Sequence, residues 1–93
     1  MAEGSSNIIM HTVYILRSNV DGNLYIGCTS DVAKRLEEHN SGKVISTKHR
    51  KPLALIYKEV FQNRYDAYNT ERFYKTAKGK KVLLEKMKHC GIV

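Results

Sequence analysis

Thr12-Val13-Tyr14-Ile15-Leu16 and Asn23-Leu24-Tyr25-Ile26-Gly27-Cys28-Thr29 flank the polar stretch Ser18-Asn19-Val20-Asp21-Gly22. Both outer runs are rich in β-branched and aromatic residues and read as strands. The stretch between them reads as a turn, because Asp-Gly supports positive φ. Together they predict a β-hairpin. Side chains alternate faces along a strand, so Tyr14 shares a face with Thr12 and Leu16, and Tyr25 shares one with Asn23 and Gly27. A turn centred between Asn19 and Val20 sets Tyr14 opposite Tyr25, with two phenol hydroxyls near each other. Gly27 leaves that face bare, which would let a backbone or a phosphate approach. Read as packing alone, the two tyrosines are cross-strand aromatics with their hydroxyls at the rim of a core.

Downstream, Ser30 suits an N-cap and Asp31 the positive first turn of a helix. Val32, Ala33 and Leu36 give it an apolar stripe, and Asn40-Ser41-Gly42 ends it. Arg35 and His39 lie at i and i+4 on one face. Arg suits bidentate contact with phosphate, and His moves protons near neutral pH; a solvated polar face would look the same. Residues 43–52 form a basic loop with Lys43, Lys48, His49, Arg50 and Lys51, closed by Pro52. Leu53 to Val60 reads as a third strand, apolar enough to be central. Asp66 to about Lys78 reads as a helix, Gly79 as a break, and Lys80 to Lys88 as a last helix packing through Leu83, Leu84 and Met87. The order is β-β-α-β-α-α. A hairpin plus one strand makes a small sheet whose apolar face helices must cover, an α+β domain.

In the second helix Ala67, Thr70, Glu71, Tyr74, Lys75 and Lys78 fall on one stripe. Glu71 sits between residues that should face the sheet. An ionised Glu is rarely buried unless it is paired or binds a metal. Both a salt bridge and a ligand for a hard cation such as Mg²⁺ fit.

The chain has 93 residues, which predicts one domain with little room for a deep small-molecule pocket. Sixteen Lys and Arg against nine Asp and Glu give a net charge of +7. Such a balance points to a polyanion, usually nucleic acid, or simply to a solvated surface. No stretch approaches the ~18 apolar residues of a spanning helix, so no membrane role is expected. Cys28 and Cys90 form neither a disulfide framework nor a zinc motif and are expected as reduced thiols in the cytoplasm. The small, polar opening Met1-Ala2-Glu3-Gly4-Ser5-Ser6 is unlike a signal peptide. Residues 1–9 read as a tag remnant or disordered tail, and 10–93 as the domain.

Val13-Tyr14-Ile15-Leu16, a turn, then Tyr25-Ile26-Gly27 resembles the two-part signature of GIY-YIG endonucleases, with Val13 where the first Gly would stand. Asp31 to Gly42, Arg50-Lys51-Pro52-Leu53 and the Glu71…Lys75 pair resemble small stand-alone bacterial members, related to the nuclease domain of excision-repair enzymes. The likeness covers residues 12–88. It implies a three-stranded antiparallel sheet flanked by helices, and a DNA endonuclease with repair as one setting. The implied site is Tyr14, Tyr25, Arg35, His39 and Glu71. Some repair members carry a Lys where this chain has Cys28 or Thr29, and an Asn near the domain end without an equivalent here.

With a single carboxylate, the expected cofactor is one ion, Mg²⁺ or Mn²⁺, on Glu71. Arg35 would stabilise charge on the phosphate, Tyr14 would activate water, and Tyr25 would orient the phosphate or share a hydrogen bond with Tyr14. His39 would be an alternative base or a phosphate contact. Lys43, Lys48, Arg50, Lys51, Lys75 and Lys78 would hold the backbone. The expected partner is DNA, with RNA also open; a targeting protein would fit the absence of a recognition domain, and a monomer is expected. A binding module with the same fold but no reaction, and an interaction domain with an incidental basic surface, are the rival readings.

Overall fold

Among residues 9–92, which the computed structural model describes, the strand His11–Ser18 (β1) is buried on both faces along most of its length. That makes it the centre of the sheet. Leu24–Thr29 (β2) and Leu53–Phe61 (β3) pair with it antiparallel on either side, in the order β2-β1-β3. The third strand is therefore an edge, not the central strand its apolar sequence suggests. Apart from buried Leu53, its residues are half-buried or exposed. The expected α+β architecture, a three-stranded antiparallel sheet with helices, is what the chain adopts.

The hairpin turns where expected, and Gly22 takes φ 71°, a conformation that costs Gly nothing. Its centre lies one residue later than the sequence suggests. Tyr14 therefore pairs with Gly27, and Tyr25 with Leu16. The two tyrosines share a face but sit diagonally, because moving the turn centre by one residue moves each partner by two.

Helix α1 (Val32–Asn40), α2 (Arg64–Tyr74) and α3 (Ala77–His89) complete the chain. Asp31, not Ser30, caps α1, its carboxylate accepting from the Lys34 backbone N–H at 3.1 Å. Asn63 caps α2, and Thr76 caps α3 through the Gly79 N–H at 3.0 Å. The helix break thus falls at Lys75-Thr76, about one turn ahead of the expected one at Gly79. Gly79 lies inside the first turn of α3, because a Cβ there would collide with the Phe73 carbonyl.

The two faces of the sheet bury different things. Val13, Ile15 and Ile26 pack with Ala67 and Tyr74 of α2 and with Leu83 and Met87 of α3. Leu84, expected in that packing, is exposed. Tyr14 and Leu16 pack on the other face with Leu53, Leu36 and Tyr25. Glu59 of β3 ties the helices down, accepting from Tyr57 at 2.7 Å, Tyr74 at 2.8 Å and Lys86 at 3.2 Å. Burial works against its charge, yet these donors outweigh it and hold the carboxyl below its ordinary range. No described helix is long and apolar enough to cross a membrane.

Candidate active site

Tyr14 stands on the central strand with its ring laid over Gly27. A Cβ added to Gly27 would fall 2.5 Å from Tyr14 Cζ. The space expected to admit a phosphate is filled by this ring, so Gly27 seats Tyr14 instead. Gly27→Ala is expected to lose about 1–3 kcal/mol of stability through overpacking, read as a lower urea midpoint, with Tyr14 displaced.

The Tyr14 hydroxyl lies 3.1 Å from His39 Nε2, and His39 Nδ1 lies 2.7 Å from Thr47 Oγ1. Tyr14, His39 and Thr47 are all buried. Complete burial removes His39 from any direct contact with phosphate. Thr47 Oγ1 has the Val44 carbonyl at 3.5 Å as a destination for its own proton. In the tautomer that uses this acceptor, Nδ1–H donates to Thr47 and Nε2 accepts from the phenol. The Tyr25 ring packs edge-on against His39, with centroids 4.7 Å apart. The Tyr25 hydroxyl makes no hydrogen bond among the described residues and is the more accessible of the two phenols.

Burial holds His39 below its ordinary pKa, and the Arg35 charge pushes the same way. A depressed pKa means that the unfolded chain binds this proton more readily. The neutral imidazole's contribution is therefore complete above the ordinary histidine value of about 6.5 and is lost as pH falls below it. His39→Gln is expected to flatten the loss of stability between about pH 6.5 and 5, measured as urea midpoints against the wild type.

Arg35, on α1 beside Leu36, pairs with Glu38 at 2.9 Å and keeps 38% of its side chain exposed. Burial pushes Tyr14 up to about 12, while the neighbouring Arg35 guanidinium pulls the other way. Arg35, Lys34, Asp31 and Thr29 line an open polar cleft of about 500 Å³. A second cleft of about 470 Å³ is lined by Thr29, Cys28, His11, Tyr68 and Glu71. Thr29, near the end of β2, lines both clefts.

Glu71 is 16% exposed at its side chain and accepts from Lys75 Nζ at 2.9 Å. Of the two readings of this carboxylate, the ion pair is the one formed, with Lys75. No group of three or more His, Cys, Asp or Glu is arranged to hold a metal among the described residues. A lone carboxylate still fits a hard divalent ion, which keeps several waters and takes its other ligands from substrate phosphate.

The basic residues divide. Lys43, Lys48, Lys51 and Lys78 are exposed. Arg50 is not free: it reaches Asp21 at 3.3 Å and the Leu24 carbonyl at 3.4 Å, bracing the loop against the hairpin. Lys75 is exposed as well, but its ammonium is paired with Glu71 at 2.9 Å. The sequence reading missed Thr47, which orients His39, and Asn40, whose amide clamps Leu53 through its N–H at 2.7 Å and its carbonyl at 3.0 Å. Nothing local marks Thr47. Asn40 stands just beyond His39 but reads as a helix stop.

The family described as GIY-YIG catalytic domain matches residues 10–86. A UPF0213 protein of Bacillus pumilus is 41% identical over 81 residues, spanning 84% of this chain and 82% of that protein. Another, from Staphylococcus saprophyticus, is 38% identical over 74 residues, spanning 78% and 89%. The solution structure of a UPF0213 protein from Bacillus halodurans superposes with a TM-score of 0.52 at 34% identity, covering 82% of this chain and 83% of that one.

Proposed function

Since the chain belongs to the GIY-YIG family, whose domain is a nuclease domain, we propose that it is a metal-dependent endonuclease that hydrolyses phosphodiester bonds in DNA. The observation that carries this reading is the Tyr14 hydroxyl 3.1 Å from His39 Nε2, on the same domain as a polar cleft lined by Arg35 and a cleft lined by Glu71 that share Thr29.

Hydrolysis needs a deprotonated water, relief of charge on the phosphate and help for the leaving oxygen. With a pKa pushed up to about 12, only roughly one Tyr14 in 10⁵ is a phenolate at pH 7. A preformed phenolate is therefore a poor account. Tyr14 instead passes its own proton to His39 Nε2 as it takes one from the attacking water. This needs His39 neutral, which its burial ensures. Arg35 keeps its guanidinium on the phosphate as negative charge builds, and Tyr25 offers its free hydroxyl to a phosphate oxygen. Glu71 would hold a single Mg²⁺ or Mn²⁺, and such an ion would supply Lewis-acid charge relief at the phosphate and leaving oxygen. Lys43, Lys48, Lys51 and Lys78 hold the backbone without reading sequence. Selection then comes from DNA shape or a targeting protein. Two unpaired cysteines fit a reducing compartment, so we place the protein in the cytoplasm.

Supercoiled plasmid at low salt is the test. Open circles should accumulate with Mg²⁺ or Mn²⁺, stop with EDTA, and fall steeply as NaCl rises, because phosphate contacts release counterions. A shift of DNA mobility without any nicking would favour a binding module that keeps the fold.

A further inference from the structure

α2 buries Ala67 and Tyr74 against the sheet, so its packing does not require Tyr65 or Tyr68. Both nonetheless stand on its outer side, 68% and 50% exposed. Each is steadied by an arginine. Arg64 Cζ lies 5.7 Å from the Tyr65 ring centre, and Arg72 Cζ lies 5.5 Å from that of Tyr68. Both rings border the same cleft as Glu71.

Leaving two large aromatics in water is a poor use of apolar surface on a domain this small, and exposed aromatics flanked by cations mark binding surfaces. The occupant must satisfy a flat π-face and a guanidinium together, in a chain of net charge +7. A nucleobase with its flanking phosphates does so: bases stack on tyrosine, and arginine stacks on bases and pairs with phosphate. Bases inside a duplex present edges, not faces, so the stacked base must be unpaired. We propose that Tyr65 and Tyr68, with Arg64 and Arg72, form a stacking platform for an unpaired base of a DNA strand next to the phosphate held at Glu71. The position of that strand rests on the nuclease reading, and it selects substrates with a single-stranded stretch beside the cut.

The test is binding by the full chain in EDTA, where nothing is cut. The probes are a fluorescein-labelled single strand carrying 2-aminopurine and the blunt duplex of the same sequence. The double variant Tyr65→Ala, Tyr68→Ala should bind the single strand tenfold or more weakly and lose the 2-aminopurine quenching, with duplex binding within about twofold of wild type. Tyr65→Phe with Tyr68→Phe keeps the π-faces and should behave as wild type. Equal losses on both probes, wild-type binding by the alanine pair, or failure of the phenylalanine pair would overturn the platform. Tyrosine-dependent quenching by a chain that never nicks plasmid would sink the nuclease reading and leave the platform standing. Nicking by a chain whose alanine pair stacks normally would do the reverse.

Discussion

Glu71→Ala is expected to slow plasmid nicking at least about a thousandfold while leaving DNA binding at low salt unchanged or slightly tighter. Losing the only candidate metal carboxylate removes several kcal/mol of charge relief at the phosphate, and each 1.36 kcal/mol is about tenfold in rate. Folding should hardly notice. The partner lost is Lys75, four residues along the same helix and 55% exposed at its side chain, and exposed pairs of this kind contribute about 0.3–0.5 kcal/mol. Binding should hold because the variant removes a negative charge and frees an ammonium beside the proposed path of the backbone. A time course of nicking and a mobility shift on the same preparation separate the two effects.

Tyr14→Phe should slow nicking by about 10²–10⁴, the usual range for a lost proton-transfer group. The ring stays over Gly27, so the packing survives. What goes is the hydroxyl 3.1 Å from His39 Nε2, and His39 has no access to water there. An unsatisfied buried acceptor costs about 1–3 kcal/mol, so a lower urea midpoint should accompany the lost rate. Tyr25→Phe should cost less in both measurements, because its hydroxyl has no partner among the described residues to orphan. If Tyr25→Phe were the more damaging for rate, the roles of the two phenols would have to be exchanged.

How much of this was legible depends on the range of the interaction involved. The alternation of apolar residues put Tyr14 and Tyr25 on one face, since period two is a local property of the strand. Their diagonal offset was not legible, because one residue of turn length moves each cross-strand partner by two. Leu53–Phe61 looked central by composition, yet strand order is decided by which faces the helices cover, and β1 needs cover on both. Gly79 looked like a helix break. It lies in the first turn of α3 because the true break, at Thr76, rests on a side-chain cap that Ser, Thr and many other residues could supply.

Within the site, Arg35 and His39 share a helix face as their spacing implies, but the spacing did not say which would be buried. His39 is inside because Thr47, on a loop that reads as polar and basic, bonds its ring, and Tyr14 and Tyr25 pack against it. Arg50 looked like one more phosphate contact in that loop. Its engagement with Asp21 spans 29 positions, a distance that no local pattern reveals. Glu71 drew attention as a carboxylate on an inward stripe, and there the sequence already carried both meanings that the fold allows.

The most direct measurement is nicking of supercoiled plasmid by wild type and Glu71→Ala side by side, with Mg²⁺ and with EDTA. Open circles should form only with the wild type in Mg²⁺, while both proteins shift the DNA equally. Nicking that persists in Glu71→Ala, or that proceeds unchanged in EDTA, would contradict a metal-dependent endonuclease working through this carboxylate.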